Sequence, residues 1–128
     1  MKAIPLDLFP TRIWSFDAAH LLPHNEQWVA ALAAKRLVDQ NAKGRSTRNG
    51  WSGPKTLFLD PVFAELRTTV HEVVRQAFAE MGVASGLGYR LEAWGNIHDK
   101  GGFNQPHTHR DALISGCYYL QVPPGGGA

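Results

Sequence analysis

Between Asp60 and Gly82 the apolar residues Val62, Phe63, Leu66, Val70, Val73, Val74, Ala77, Phe78 and Met81 recur at i, i+3 and i+4 without a break. That spacing puts them on one side of an α-helix. Asp60 before Pro61 supplies an N-cap and then a residue whose missing N–H costs nothing in a first turn, and Gly82 supplies the stop. A helix with one continuous apolar face must bury it, and a sheet is the expected cover. A second helix is predicted over Asn25–Val38, where Trp28, Val29, Leu32, Leu37 and Val38 recur at helical spacing with alanines between them and His24 or Asn25 stands near the start.

The remaining segments read as extended or as loops. Leu8–Phe16, with Ile13, Trp14 and Phe16, is predicted as a short strand that Pro10 pushes to a sheet edge. Asp39–Lys55 holds Gly, Ser, Asn, Arg and Lys around Trp51 with no sustained period, so a surface loop is expected there. After Gly86 and Gly88, Tyr89–Ile97 alternates and predicts a strand; His98–Pro106 is a polar loop; His107–His109 enters another extended segment; Leu113–Val122 is a strong strand candidate. Pro123 to Ala128 is turn chemistry with no second strand behind it. Helices first and strands afterwards point to the α+β class.

The 128 residues are 44% hydrophobic and 19% charged, which suits one soluble domain. A formal charge of +2, with basic residues scattered apart from Arg45–Arg48, does not mark a nucleic-acid binder. The single cysteine, Cys117, excludes an internal disulfide framework and a Cys-rich zinc site and agrees with a reducing cytoplasm; set beside Gly116 in an apolar run, it reads as a packed core thiol. No run reaches the ~18 to 20 apolar residues of a membrane span. Met1–Pro10 is broken by Pro5, Asp7 and Pro10, so it lacks the apolar stretch of an export signal. Neither composition nor charge selects a substrate or an oligomeric state.

Of the six histidines, His20, His24, His71 and His98 are isolated and read most simply as surface or capping residues. His107-Thr108-His109 differs, because residues i and i+2 of an extended chain point to the same side and two imidazoles can then meet one metal ion. Two exposed histidines in a loop are the plainer alternative. His109-Arg110-Asp111 overlaps the pair and has the spacing of two legs of a two-histidine, one-carboxylate triad. In one register His107 and His109 ligate, and Asp111 supports an imidazole tautomer; in the other His109 and Asp111 ligate, and His107 supports. Both registers need a further ligand from elsewhere. A phosphate-binding Gly-x-x-x-x-Gly-Lys loop, a Gly-x-Ser-x-Gly elbow and a His-Glu-x-x-His helix are all absent. Trp94 and Asn96, two apart on a predicted strand, share a face.

The run from Glu92 through Trp94, Asn96, Gly101, Asn104 and Pro106-His107-Thr108-His109, followed by Ser115-Gly116-Cys117-Tyr118-Tyr119 and Pro123, resembles a family of 2-oxoglutarate- and Fe(II)-dependent oxygenases. Leu8-Phe9-Pro10-Thr11 and Gly50-Trp51-Ser52 resemble it too. The resemblance implies a double-stranded β-helix, or jelly roll, behind an N-terminal helical layer. It divides a single domain of residues 1–128 into helices over about 1–82 and the first jelly-roll strands over about 88–123. It implies Fe(II) held by His107 and His109, with Asp111 supporting, and Trp94, Asn96, Tyr118 and Tyr119 as candidates for the pocket wall. Gly101, placed before His107 as in the wider prolyl-hydroxylase-like pattern, favours His107 as a ligand. The implied activity is oxidative decarboxylation of 2-oxoglutarate by O2, coupled to hydroxylation of a small-molecule or peptide substrate.

The family continues with strands that bear a distal histidine and an arginine for the 2-oxoglutarate carboxylate, and neither residue follows Pro123. The expectation is therefore the front part of an oxygenase domain, with an incomplete iron site and no turnover alone. Two rival readings stay open: a three-histidine, cupin-like dioxygenase that uses no 2-oxoglutarate, and a non-catalytic jelly-roll binding module.

Overall fold

The computed structural model describes residues 11–126. In chain order its elements are a 3-10 turn over Ala19–His24, helix α1 over Asn25–Val38, strand β1 over Thr47–Ser52, 3-10 turns at Leu57–Leu59 and Pro61–Phe63, helix α2 over Ala64–Glu80 and strand β2 over Asn96–Asn104. This is an α+β arrangement with one two-stranded antiparallel sheet among the described residues.

Both predicted helices form, and α1 has the predicted bounds. The Asp60 carboxylate accepts from the Val62 N–H at 3.1 Å, so Asp60 caps the 3-10 turn that leads into α2. At the far end Gly82 has φ +73°, its N–H reaches Ala79 O at 3.1 Å, and the Val83 N–H reaches Phe78 O at 2.9 Å. These are the two hydrogen bonds of a Schellman stop, and the left-handed φ is why a glycine ends the helix.

The core is built around Trp28, which is wholly buried with Leu21, Leu32, Trp51, Phe63 and Leu66. Its indole N–H donates to Val62 O at 2.8 Å, tying α1 to the entrance of α2. The Trp51 indole donates to Asp39 O at 2.8 Å, tying β1 to the end of α1. Both tryptophans thus bury a large apolar ring without leaving a polar hydrogen unpaired. Only the first turns of α2 join this core, through Leu66 and Val70. Farther along, the stripe expected to lie on a sheet meets connecting chain instead: the Phe78 ring meets Tyr89, and the Trp14 indole donates to Glu80.

The extended segments depart most from expectation. Asp39–Lys55 is not wholly a loop, because Thr47–Ser52 pairs with Asn96–Asn104 and carries Trp51 into the core. The predicted strand Tyr89–Ile97 is replaced by a single parallel bridge, Ala93 to Thr56, and the ladder begins only at Asn96. The predicted loop His98–Pro106 is mostly β2. Two residue steps on β1, Arg48 to Gly50, face five on β2, His98 to Phe103. β2 therefore bulges outward there. Asn49, itself at φ 47°, donates from its side chain to Lys100 O at 2.8 Å, and Arg36 of α1 grips Asp99 through two bonds of 3.0 and 2.7 Å. That guanidinium holds the Asp99 carboxyl below the usual carboxylate range.

Leu113–Val122 has no strand partner among the described residues, despite its β-forming composition. Tyr118 and Leu120 lean on the core, whereas Tyr119 is 74% exposed. Cys117 is likewise exposed, not packed, because no second sheet layer covers this segment among the described residues. Of the predicted strand Leu8–Phe16, residues 8–10 lie outside the described residues, as do Met1–Pro10 as a whole and most of the Leu8–Thr11 motif; residues 11–16 form no strand. No described helix is long and apolar enough to cross a membrane.

Candidate metal centre

The bulged β2 delivers the chain to the histidine pair. Thr47 Oγ donates to Asn104 Oδ1 at 3.0 Å, Gln105 N–H donates to Ser46 O at 2.9 Å, and the Arg48 guanidinium donates to the Gln105 side chain. These bonds fix the end of β2 immediately before Pro106. His107 and His109 then follow in an irregular extended segment, both exposed.

The two imidazoles face each other with ring centroids 4.7 Å apart and planes at 78°. Two imidazoles on one ion, with nitrogens at about 2.1 Å and ordinary ligand angles, have ring centres roughly 4.5–5.2 Å apart; the 4.7 Å edge-to-face separation here is compatible with that and equally with an ordinary aromatic contact. His107 Nδ1 lies 2.7 Å from Gln105 O. A carbonyl can only accept, so Nδ1 carries the hydrogen and the Nε2 lone pair is free for a metal. That support comes from the backbone two residues upstream, the position the sequence reading assigned to Asp111. Asp111 sits in the turn after His109 and hydrogen-bonds to neither ring among the described residues. Its side chain does not join the pair in a group of three metal-ligating residues, and the described residues hold no such group anywhere. What the described residues present is two exposed imidazoles, one with its Nε2 free, and no third metal-ligating side chain beside them.

Trp94 is the one predicted wall residue that the structure sets against the pair: its ring centroid is 5.6 Å from that of His109, at 57°. On the same indole rests the Lys55 ammonium, 5.7 Å from the centroid. Lys55 pairs with Glu92 at 2.7 Å, which also takes Arg90 at 2.8 Å. Lys55, then Arg90, keeps the Glu92 carboxyl below its ordinary range. Lys55 carries no sequence signal for this role, since the loop that holds it reaches Trp94 only through the Thr56–Ala93 bridge.

The other candidates lie elsewhere. Asn96 pairs with Ser52 at the start of β2. The Tyr118 hydroxyl donates to Asn25 Oδ1 at 2.9 Å, and its ring stands edge-on to Trp28 at 6.2 Å. Tyr119 points to solvent. Of the isolated histidines, His98 lies 3.4 Å from Asn104 Oδ1, His71 2.8 Å from the Tyr89 hydroxyl and His20 3.2 Å from Thr69 Oγ, while His24 stacks on Trp28.

Residues 92–128 match the model of a family described as "Putative 2OG-Fe(II) oxygenase". This stretch contains the histidine pair, Trp94 and the Tyr118-Tyr119 segment, and the match supports an oxygenase-type enzyme family for it. Comparison with curated proteins and with solved structures gives no match.

Proposed function

We propose that this chain contributes the iron-holding face of a 2-oxoglutarate- and Fe(II)-dependent oxygenase, with His107 and His109 as ligands. The observation that carries the reading is the pair itself: two imidazoles at ligand spacing, one with its tautomer set by Gln105 O, inside the matched stretch. Histidine nitrogens in a mixed N/O site with open positions suit Fe(II). When bound, Fe(II) with 2-oxoglutarate and O2 supplies an oxidation that yields succinate, CO2 and a hydroxylated substrate.

The chain's own residues do the positioning. Gln105 O orients His107, the β1–β2 ladder holds the segment that bears the pair, and the Arg36–Asp99 grip ties β2 to the helical layer. In this reading, further strands of a jelly roll cover Leu113–Val122 and bring a distal histidine and a carboxylate-binding arginine. The exposed Leu113, Tyr119 and Val122 support such a cover. The substrate is a small molecule or a peptide, with neither nucleic acid nor membrane as a partner. A cytoplasmic setting rests on the lone Cys117.

The test is anaerobic equilibrium dialysis of Fe(II), with and without 2-oxoglutarate, against the native chain and the His107→Ala and His109→Ala variants. Because the chain supplies only two of the ligands, the expected result is weak Fe(II) binding by the native chain, lowered tenfold or more in each variant. Equal binding by native and variant chains would overturn the ligand assignment. Absence of any Fe(II) binding by the native chain would favour the non-catalytic module.

A further inference from the structure

The histidine pair is supported unevenly. His107 is held by a hydrogen bond to Gln105 O, whereas no hydrogen bond from the His109 ring is found among the described residues; its neighbours are the His107 ring and the Trp94 indole. An exposed imidazole with two free side-chain torsions is a poor ligand until something limits its rotamers. An indole packed beside it is such a limit: the Trp94 ring lies 5.6 Å from the His109 ring, tilted at 57°, and Trp94 is in turn fixed from two sides. Gly95, next in the chain, is buried so tightly against Leu32 that an added Cβ would meet Leu32 Cδ2 at 2.5 Å. Across the ring, Lys55 sits over Trp94 while paired to Glu92.

We infer that Trp94 is the positioning residue for His109: its indole does for His109 by packing what Gln105 O does for His107 by hydrogen bonding. The inference rests on the reading of the pair as metal ligands and adds a role that the ligands themselves do not define. It has a direct optical consequence. An ion bound to His109 at about 2.1 Å lies within about 9 Å of the Trp94 ring centre, given the 5.6 Å between the two rings, so a paramagnetic ion is expected to quench that tryptophan.

The experiment titrates Ni(II), which binds nitrogen sites more tightly than Fe(II) and is stable in air, into the native chain and into Trp94→Ala, Trp94→Phe and His107→Ala. Affinity comes from calorimetry, quenching from tryptophan emission, and fold from far-UV circular dichroism. Expected are a Trp94→Ala affinity about tenfold or more below native, restoration by Trp94→Phe, which keeps a flat ring, and saturable quenching in the native chain that disappears in Trp94→Phe. Native affinity in Trp94→Ala, failure of Phe to restore it, or quenching that persists in Trp94→Phe would each overturn the inference. If Trp94→Ala loses its fold, the quenching arm in Trp94→Phe decides alone. Equal affinity of native and His107→Ala chains identifies a different failure, that of the ligand pair, and the inference falls with it.

Discussion

Replacing Trp28 tests whether the core is organised as described. Trp28 is wholly buried, and its ring meets His24 at 5.2 Å and Phe63 and Tyr118 at 6.2 Å each. Trp28→Ala removes these contacts and leaves a cavity, at about 3–5 kcal/mol. Trp28→Phe keeps a six-membered ring but removes the donor to Val62 O. An orphaned carbonyl costs about 1–3 kcal/mol; Val62 is half-buried and water reaches part of that loss, so the lower half of the range applies, with about 1 kcal/mol more for the smaller ring. The expected order is therefore native, then Phe at about 2–3 kcal/mol, then Ala. Urea unfolding followed at 222 nm measures it, because emission changes when a tryptophan is removed. At a slope of about 1–3 kcal/mol per molar urea, the Ala variant should move the midpoint by more than about 1 M. Values within about 0.5 kcal/mol of native for both variants, the range of ordinary surface changes, would show that Trp28 is not the centre of the core.

Two further outcomes follow from local geometry. Gly95→Ala drives a methyl into Leu32 at 2.5 Å and should cost about 1–3 kcal/mol, whereas Gly82→Ala meets no atom within 4 Å and should cost only the left-handed backbone strain, about 1–2 kcal/mol; thermal melts of both should show sharper loss in Gly95→Ala, together with weakened Ni(II) binding that Gly82→Ala does not share. Lys35 first, and then the Val62 N–H, lowers the Asp60 carboxyl below its ordinary value, so its stabilisation is complete above the unfolded value of about 3.9 and is lost as pH falls through the lower folded one. Asp60→Asn keeps the cap but not the charge, so urea midpoints of native and variant should differ at pH 7 and converge as the pH falls through the lowered folded value; a gap independent of pH would refute the ion pair as its source.

The histidine pair was legible because i and i+2 share a side in any extended chain, whether or not a ladder forms. Its supports were not: Gln105 O acts through the backbone, which every residue has, and Trp94 reaches His109 only after β2 has run out and returned. Asp111 shows the converse. Its spacing matches a ligand pattern, yet a turn falls at Arg110 and Asp111 where that pattern assumes extended chain, and no group of three metal-ligating residues forms among the described residues.

Helices α1 and α2 were legible in the sequence alone, because their hydrogen bonds close within four residues and, for α2, Asp60 and Pro61 mark the turn that leads in and Gly82 the stop. Strands answer to partners far away. Thr47–Ser52 is polar, contains Gly50 and shows no period, yet it becomes β1 because Asn96–Asn104 arrives beside it, while the more strand-like Leu113–Val122 stays unpaired because no described segment does. Local propensity proposed where the chain extends; only the tertiary structure decided which extended segments found each other, since a ladder bond is a property of two segments and neither one encodes it alone.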